Sequence, residues 1–420
     1  MRGGRLRQSA SGDYAFPGGR LPCATGRFFW GRGRLGTYRT DEAVNILYHF
    51  RTRGTGAEAV HISGIVRAFE KMGHHVFLSS PTGVDPRRGA GSNPFAGGPV
   101  SGAGLTRFLP RGLFDLVEFL YNFPAFFRNL RLTRQHGCGM IYERHAFFLF
   151  STALVARLRG CPLVIEVNEL VGDPRIRAQP LFAWVARWTD RFLFRRAQLI
   201  VTVSPHLKRR VVEYGIPEGR VIVLPNAVSE EELAIPPAPL DFGVESGGFV
   251  LGFAGWLVEW HRLDFLIQAL GTPQFASVVL VLIGDGPLRA TLDSQARSLG
   301  VRVHFAGALA HSAMPAALRA MDACVVPHSN AYRSPIKLFE FMAQERAVLA
   351  PRTEPIESVL RDGEEGLLFT PLDIESFRSA LQWLLDSNEL CRSIGRNARR
   401  LVEERHTWEQ NARRIMAGVC

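Results

Sequence analysis

Short apolar runs alternate with amphipathic segments along most of this chain. From Ala43 onward, each apolar run is followed by a Gly-rich or polar loop and then by apolar residues three or four positions apart. The first pattern is typical of strands buried on both faces, and the second of helices that pack against them. We predict strands over 44–48, 75–78, 140–142, 163–167, 199–203, 221–224, 249–253, 278–283, 301–305, 323–326, 347–350 and 366–369.

Helical spacing separates successive strands, for example over 147–159, 181–196 and 205–214. A strand, a helix and a second strand in this order imply parallel strands. The Pro-rich and Gly-rich stretch 236–248 interrupts the alternation and predicts a linker. We therefore predict an α/β protein with two doubly wound, Rossmann-like domains that face a central cleft. Their predicted bounds are 43–235 and 249–405, followed by a C-terminal helix over 406–420 that can cross back to the N-terminal domain.

The chain of 420 residues is basic, with 50 Lys and Arg, 39 Asp and Glu and a net charge of +11. Residues 1–42 contribute eight Arg and three acidic residues, a net charge of +5, and show no periodicity. We interpret them as a disordered basic leader or a start site assigned too early. The remaining charge is spread over the α/β scaffold without a recognised nucleic-acid module, so we expect no nucleic-acid partner.

Neither the cysteines nor the apolar stretches indicate secretion or membrane insertion. The six cysteines are scattered without a C-x-x-C pair, which argues against a zinc site or a disulfide framework and favours a reducing, cytoplasmic setting. The longest uncharged apolar stretch, 146–156, is about half as long as a membrane-spanning helix. We therefore expect no spanning segment.

Two Gly-rich turns follow predicted strands. Gly54, Thr55 and Gly56 come after the first strand, and Gly284 opens the turn after the strand over 278–283. Backbone N–H groups in such turns can cradle a phosphate at the start of a helix. Neither turn is a complete G-x-G-x-x-G fingerprint, so a tight turn without a ligand is an equal alternative for the first and the preferred interpretation of the second.

Several motifs, in order along residues 43–415, resemble glycosyltransferase family 4, whose members are retaining sugar-nucleotide enzymes with the two-domain GT-B fold. The resemblance implies an enzyme that moves a sugar from a nucleotide-diphosphate sugar to a glycan, polysaccharide or lipid-linked acceptor, without a further cofactor or a catalytic metal. The motifs that carry it are GTGAEAVH (54–61), VLPNAV (223–228), LIGDGPL (282–288), SPIKLFEFMA (334–343) and DGEEGLLF (362–369).

The resemblance also implies roles for the segment around Lys337, Leu338 and Glu340 in donor binding. Glu340 corresponds to the final Glu of the family's E-x7-E pattern and would accept hydrogen bonds from the ribose hydroxyls. Lys337, one helical turn earlier, would contact the diphosphate. The alternatives are a carboxylate stabilised by the helix dipole for Glu340 and a solvated surface lysine for Lys337.

The chain departs from the family pattern at two places. Tyr332 stands where the first Glu of E-x7-E contacts the donor sugar. Trp256 and His261 stand where the family has the Arg and Lys of its diphosphate pair. Because a diphosphate in a closing cleft needs positive charge, we predict that His261 or Arg262 supplies it.

The candidate catalytic residues follow from the resemblance of 141–145 to a variant of the family in which Arg replaces a His at a strand end. Arg144 would stabilise the departing diphosphate, and Glu143 or His145 would meet the acceptor hydroxyl. A purely structural Glu143–Arg144 pair is the alternative. Glu166 and Asn168 also lie at the end of a predicted strand, where such folds bind ligands.

Basic amphipathic stretches over 107–135 and 181–196 bear on the acceptor. Their Phe, Trp, Leu and Arg residues suit an anionic membrane surface, which predicts a peripheral location at the inner face of the membrane. Buried interdomain helices with solvated Arg faces are the alternative. Two other functions also remain open at this point: a GT-B sugar-nucleotide epimerase or hydrolase, and a non-catalytic nucleotide-sugar-binding protein.

Overall fold

The computed structural model describes residues 43–51, 57–89, 110–174, 178–236, 238–243 and 248–419. The predicted leader over 1–42 and the loop Gly54, Thr55 and Gly56 lie outside the described residues.

The first half of the chain forms a parallel sheet of six strands in the order β2-β1-β3-β4-β5-β6. Helices cover both faces, so the strands are rich in apolar residues and mostly buried. The strands are β1 (Asn45–His49), β2 (His75–Ser79), β3 (Met140–Arg144), β4 (Leu163–Val167), β5 (Leu199–Thr202) and β6 (Val221–Val223).

The second half forms another parallel six-stranded sheet, in the order β12-β11-β10-β7-β8-β9. Its hydrophobic core lies in two layers, one on each face of the sheet. The strands are β7 (Phe249–Ala254), β8 (Val278–Ile283), β9 (Arg302–Gly307), β10 (Ala323–Val325), β11 (Ala347–Pro351) and β12 (Leu367–Phe369).

Fifteen α-helices are present among the described residues, and none of them is both long enough and apolar enough to cross a bilayer. They are α1 (Ala57–Lys71), α2 (Pro86–Gly89), α3 (Arg111–Leu120), α4 (Asn122–Gln135), α5 (Ser151–Arg159), α6 (Ala183–Arg196), α7 (Pro205–Glu213), α8 (Leu263–Leu270), α9 (Arg289–Ser298), α10 (Met314–Arg319), α11 (Ile336–Ala343), α12 (Glu354–Glu357), α13 (Ile374–Asp386), α14 (Asn388–Arg405) and α15 (Trp408–Val419).

The predicted α/β class with two doubly wound halves is confirmed, and every predicted strand is present with ends shifted by at most two residues. The helix predicted over 147–159 starts later, at Ser151. The reason is a long-range cap, because the Asn122 Oδ1 atom accepts hydrogen bonds from the backbone N–H groups of Phe150 (2.8 Å) and Ser151 (2.9 Å). Periodicity cannot reveal a cap that comes from another helix.

The last helix, α15, packs on the first half although it follows the second half in sequence. Trp408, Ala412 and Ile415 belong to the same buried cluster as Ile62 and Phe69 of α1. Just before the helix, Thr407 forms a parallel β-bridge with Val228. The chain therefore passes from the second half back to the first at this bridge.

A buried hydrogen-bonded link joins the loops at the carboxyl edges of the two sheets. Asn226, which follows β6, donates its side-chain amide to the carbonyl of Ser334, at 2.5 Å, and its backbone N–H to the Ser334 hydroxyl, at 3.0 Å. The Asn226 Oδ1 atom lies 2.6 Å from Nδ1 of His61 on α1. All three residues are at least nine-tenths buried. One amide side chain thus satisfies polar atoms from both halves.

We predict that Asn226→Ala lowers the free energy of unfolding by about 2–4 kcal/mol, because it leaves a buried carbonyl and a buried imidazole nitrogen without partners. Urea denaturation followed by tryptophan fluorescence measures the change. Asn397→Ala is the matched control, since it removes an exposed bond of 3.1 Å to the carbonyl of Glu364 and is expected to cost about 0.5 kcal/mol or less. Equal losses of unfolding free energy in the two variants would contradict the role of Asn226 as a buried link between the two halves.

Glycines allow the ends of β7 and β8 to approach each other. A Cβ atom built on Gly284, whose φ is +128°, would lie 2.0 Å from the carbonyl oxygen of Gly255. A Cβ atom on Gly255 would lie 2.6 Å from Nζ of Lys337. Backbone and an ammonium group therefore occupy the space that side chains would need. The two residues form a flat floor at the carboxyl edge of the second sheet, called the glycine floor below.

We predict that Gly284→Ala destabilises the protein by roughly 3 kcal/mol or more, through a backbone clash added to an unfavourable φ. Gly300→Ala is the matched control, because Gly300 also has a positive φ (+66°) but open space around its Cβ position. It is expected to cost about 1–2 kcal/mol. The difference between the two denaturation midpoints measures the clash, and a Gly284→Ala variant no less stable than Gly300→Ala would refute it.

Candidate functional site

The two sheets each have a point where the strand order reverses. In the first sheet it lies between β1 and β3, and in the second between β7 and β10. Crevices at the carboxyl ends of such strand pairs are where open α/β sheets bind ligands. Arg144 ends β3, Gly255 follows β7, and the segment that leads to Lys337 follows β10. The fold therefore brings two predicted site residues, Arg144 and Lys337, to the two switch points.

Arg144 is held by a buried carboxylate. Its guanidinium donates to Glu166 Oε1, and the same carboxylate accepts hydrogen bonds from Tyr142 (2.8 Å) and Asn168 (2.6 Å). His61 Nε2 lies 2.9 Å from Glu166 Oε2. Although burial acts to raise it, the pKa of Glu166 is held well below its usual range by His61 and Arg144. Glu166 is thus an ionised carboxylate that orients Arg144.

This cluster reaches the second half through His61, whose other ring nitrogen contacts Asn226 in the link to Ser334. Ser334 precedes Lys337 by three residues. A continuous chain of hydrogen bonds therefore runs from Arg144 through Glu166, His61 and Asn226 to Ser334, just before α11. His61 and Asn226 were visible in the sequence only as members of family-like motifs, because their partners lie far away in the chain.

Glu143 and His145 do not lie where the sequence analysis placed them. The Glu143 carboxylate is fully buried, 2.8 Å from Nδ1 of His49 and 2.7 Å from the Thr152 hydroxyl. His145 is likewise buried, with its Nε2 atom 2.8 Å from Asp190. The expectation that either meets an acceptor hydroxyl does not fit these positions. The proposed Glu143–Arg144 pair is also absent, because successive strand residues point to opposite faces of the sheet.

Lys337 lies on the glycine floor. Its Nζ atom is 4.0 Å from the centroid of the Phe253 ring and 3.5 Å from Nδ1 of His261. Burial lowers the pKa of Lys337 to about 7, although Glu340 acts in the opposite direction. An anion bound here would favour the protonated ammonium. Lys337 is therefore suited to contact a phosphate as a half-buried point charge rather than being a solvated surface lysine.

His261 and Arg262 do not supply the expected charge. Burial, together with Lys337, lowers the pKa of His261 to about 2, so this imidazole is neutral. Arg262 is 39% exposed and forms a forked ion pair with Asp264. The prediction that one of them replaces the family's missing cation therefore does not fit the neutral ring of His261, and the guanidinium of Arg262 is paired with Asp264.

Two other basic residues lie near the glycine floor. The charges of His328 and Arg333 both act, after burial and Lys337, to lower the pKa of His261. His328 Nδ1 lies 2.9 Å from the carbonyl oxygen of Trp260, the residue before His261. Arg333 also stacks over the Tyr332 ring at 5.5 Å. Arg333 directly precedes the SPIKLFEFMA motif. It is not predictable as a site residue from the sequence, because an isolated Arg in a loop carries no pattern.

The side chains of Leu338 and Glu340 lie on different faces of α11. The Leu338 side chain is fully buried in the core, and its backbone N–H donates to the carbonyl of Pro335 at 3.2 Å, so the predicted contact of Leu338 with a ligand does not fit this position. The Glu340 carboxylate lies beside Glu232 and His311, and the nearest polar atoms of the three side chains are within 4.8 Å of one another. Burial and Glu232 raise the pKa of Glu340 to about 7. Sequence reasoning did not bring Glu232 and His311 to this site, because they come from separate segments.

Tyr332 replaces the family's first Glu with a contact between the two halves. Its side chain is 1% exposed and packs in the core cluster of the first half, and its hydroxyl donates to the carbonyl of Pro174. Trp256, at the family's Arg position, packs edge-on against Trp260 at 6.2 Å. These departures replace charged groups with aromatic packing beside the glycine floor.

The resulting arrangement has a half-buried lysine, an arginine in the preceding loop and the first backbone amides of α11 on one side, and a carboxylate one helical turn further on. Cations and helix N-termini bind phosphate groups. A carboxylate accepts hydrogen bonds from hydroxyl groups. The site can therefore bind a phosphate and a polyol moiety of one ligand.

Comparisons with known proteins identify the family and the fold. Residues 58–232 match the family model described as "Glycosyltransferase Family 4", and residues 248–387 match that described as "Glycosyl transferases group 1". The alpha-D-kanosaminyltransferase of Streptomyces kanamyceticus is 24% identical over 59% of this chain and 68% of its own length. The MMP alpha-(1->4)-mannosyltransferase of Mycolicibacterium hassiacum is 24% identical over 86% and 94%.

A solved structure shows the same fold. The complex of Anabaena HepE with UDP has a TM-score of 0.64 at 17% identity and covers 89% of this chain and 98% of that protein. The predicted GT-B architecture is therefore confirmed, and the relatives do not favour an epimerase, a hydrolase or a non-catalytic binding protein. This chain belongs to glycosyltransferase family 4 and is a sugar-transferring enzyme with the GT-B fold.

Proposed function

We propose that this enzyme transfers a sugar, with retention, from a nucleotide-diphosphate sugar held by the second half to an acceptor held by the first. The observation that carries the proposal is the pairing of Lys337, on the glycine floor, with Glu340 one helical turn later. Lys337 contacts the diphosphate and Glu340 accepts hydrogen bonds from the ribose hydroxyls. HepE was solved with UDP, and the mannosyl- and kanosaminyltransferase relatives carry names of sugar-transfer reactions, which supports a nucleotide-sugar donor.

The proposed chemistry depends on charge stabilisation rather than on a strong base. In a front-face mechanism the leaving diphosphate accepts the proton of the attacking hydroxyl. The protein must then stabilise the negative charge that develops on the phosphates. Lys337, Arg333 and the amides of α11 supply this stabilisation, and Arg144, oriented by Glu166, faces the departing group from the first half. The buried positions of Glu143 and His145 are compatible with such a mechanism.

We predict that one nucleotide diphosphate among UDP, GDP and ADP raises the melting temperature and that Glu340→Ala abolishes this shift. The loss of a charged acceptor for two hydroxyl groups weakens binding by at least about tenfold. Differential scanning fluorimetry measures the shift, and a radiolabelled donor then distinguishes transfer from epimerisation or hydrolysis.

Glu375→Ala is the matched control, because Glu375 is an exposed carboxylate on α13. This variant should retain the full shift. The absence of a shift with every nucleotide diphosphate and its sugars would refute the proposed donor, and an unchanged shift in Glu340→Ala would refute the proposed role of Glu340.

We further propose that the acceptor is lipid-linked and that the first half docks on an anionic membrane surface. The docking surface comprises the exposed sides of α3, α4 and α6. Large apolar side chains are 40–72% exposed there: Leu113, Leu116, Val117, Leu120, Phe123, Phe127, Leu181, Phe182, Trp184 and Trp188. The surface is continuous, because the backbone N–H of Phe182, just before α6, donates to Asp115 of α3 at 3.0 Å.

Its charges are distributed to suit an anionic partner. The acidic side chains of the three helices are turned inward or paired: Asp115 caps the start of α6, Glu118 pairs with Arg51, and Asp190 pairs with His145. The exposed charged residues on these helices are arginines, namely Arg111, Arg131, Arg134, Arg187, Arg191 and Arg195. Exposed Trp and Phe between arginines fit the interface of a bilayer that contains anionic lipids.

We predict that the protein floats with vesicles of phosphatidylcholine and phosphatidylglycerol and much less with phosphatidylcholine alone. Salt at 0.5 M, a value chosen to shorten the screening length to below about 5 Å, should weaken this binding. The double variant Trp184→Ser/Trp188→Ser should lose at least about tenfold in affinity, because two aromatic side chains no longer enter the interface.

Trp383→Ser provides the control, since Trp383 is 61% exposed on α13 of the second half, away from the docking surface. It should bind vesicles like the wild type. Unimpaired binding by the double variant, or equal binding to neutral and anionic vesicles, would exclude this surface as the docking site.

A further inference from the structure

A second carboxylate and a histidine lie against Glu340. The three side chains come from separate elements: Glu232 from the turn after β6, His311 from the short turn before α10, and Glu340 from α11. Their nearest polar atoms are within 4.8 Å of one another. His311 Nε2 lies 3.3 Å from Glu232 Oε1, and these two side chains are 26% and 14% exposed. The family-like motifs include Glu340 but neither of its two neighbours.

Glu232 is fixed in place by hydrogen bonds from both sides. Its Oε2 atom accepts from the backbone N–H of Ser229 at 2.6 Å. Its carbonyl accepts from the side-chain amide of Gln344 at 2.6 Å. Glu232 cannot therefore swing away easily to relieve the repulsion between its carboxylate and that of Glu340. The charge of His311 is what compensates for this repulsion.

The surrounding charges can all be named. Glu340 is faced by Glu232, His311 and Lys337. His311 is faced by both carboxylates and, from α1, by Arg67, whose charge acts in the opposite direction. Hydrogen bonding to Glu232 is the largest effect on His311 and raises its pKa, whereas burial lowers it. Two carboxylates on one imidazole thus favour the imidazolium, and the imidazolium in turn favours ionised carboxylates.

We propose that His311 and Glu232 are positioning residues of the nucleotide site: His311 holds Glu340 in the ionised state that accepts the ribose hydroxyls, and Glu232 opposes that state. This inference rests on the proposed function of Glu340. The two neighbours act with opposite sign. Removal of Glu232 makes Glu340 easier to ionise, and removal of His311 makes it harder to ionise.

The consequence is a pH-dependent affinity for the nucleotide. The acidic limb of the binding profile belongs to Glu340, which is protonated as the pH falls through about 7. The alkaline limb belongs to Lys337, which loses its proton as the pH rises through about 7. Changes at Glu232 or His311 should move the acidic limb. The ratio of variant to wild-type affinity at each pH isolates the acidic limb, because Lys337 contributes equally to the affinity of the variant and of the wild type.

The test is isothermal titration calorimetry of the nucleotide diphosphate that stabilises the wild type, between pH 5.5 and 8.5, with EDTA present so that no divalent cation bridges the carboxylates. A displacement of the acidic limb by about one pH unit corresponds to about a fivefold change in affinity. Glu232→Gln should bind about fivefold tighter than the wild type at pH 6. His311→Asn should bind about fivefold weaker at pH 7. Both ratios should approach one at pH 8.5.

His75→Asn is the control, because His75 is an exposed histidine at the start of β2. Its affinity ratio should be one at every pH. Ratios for Glu232→Gln and His311→Asn that do not depend on pH, or that change in the same direction, would overturn the inference while leaving the proposed donor site intact. A wild-type protein that binds no nucleotide diphosphate at any pH would overturn both.

Discussion

The buried carboxylate of Glu166 is the interaction on which the junction between the two halves depends. A carboxylate so deeply buried is tolerated only because an arginine, a histidine, a tyrosine and an asparagine satisfy it. Through His61 and Asn226 the same network reaches Ser334 in the second half. The position of Arg144 is thereby coupled to that of the segment around Ser334, since neither can move without leaving buried polar atoms unpaired.

At the glycine floor, burial lowers the pKa of Lys337 to about 7. Whether this lysine is protonated therefore depends on whether an anion is bound beside it. The aromatic residues Trp256 and Tyr332 stand at positions where the family has charged residues, and His261 is neutral there. The site therefore has few cations, and the one on the floor lies over an aromatic ring in a weakly solvated setting. Removal from water strengthens electrostatic interactions, so fewer charges are needed to stabilise a diphosphate.

On the outer side of the first half, the exposed charged residues of α3, α4 and α6 are all arginines. The acidic residues of α3, α4 and α6 are used internally as a cap and as ion-pair partners. The outer side is left with aromatic residues and arginines. The same choice of partners thus satisfies buried groups and removes negative charge from the surface that is proposed to meet the membrane.

The sequence by itself determined the fold class, the strand positions and the family, because these depend on local periodicity and on contiguous motifs. The distribution of side chains around the site was decided by the tertiary structure. Adjacent residues such as Glu143 and Arg144 point to opposite faces of a strand, so their proximity in the chain did not predict their partners. Glu232, His311 and Glu340 meet only because three distant segments converge. The sequence therefore does not show which charged groups surround each of them.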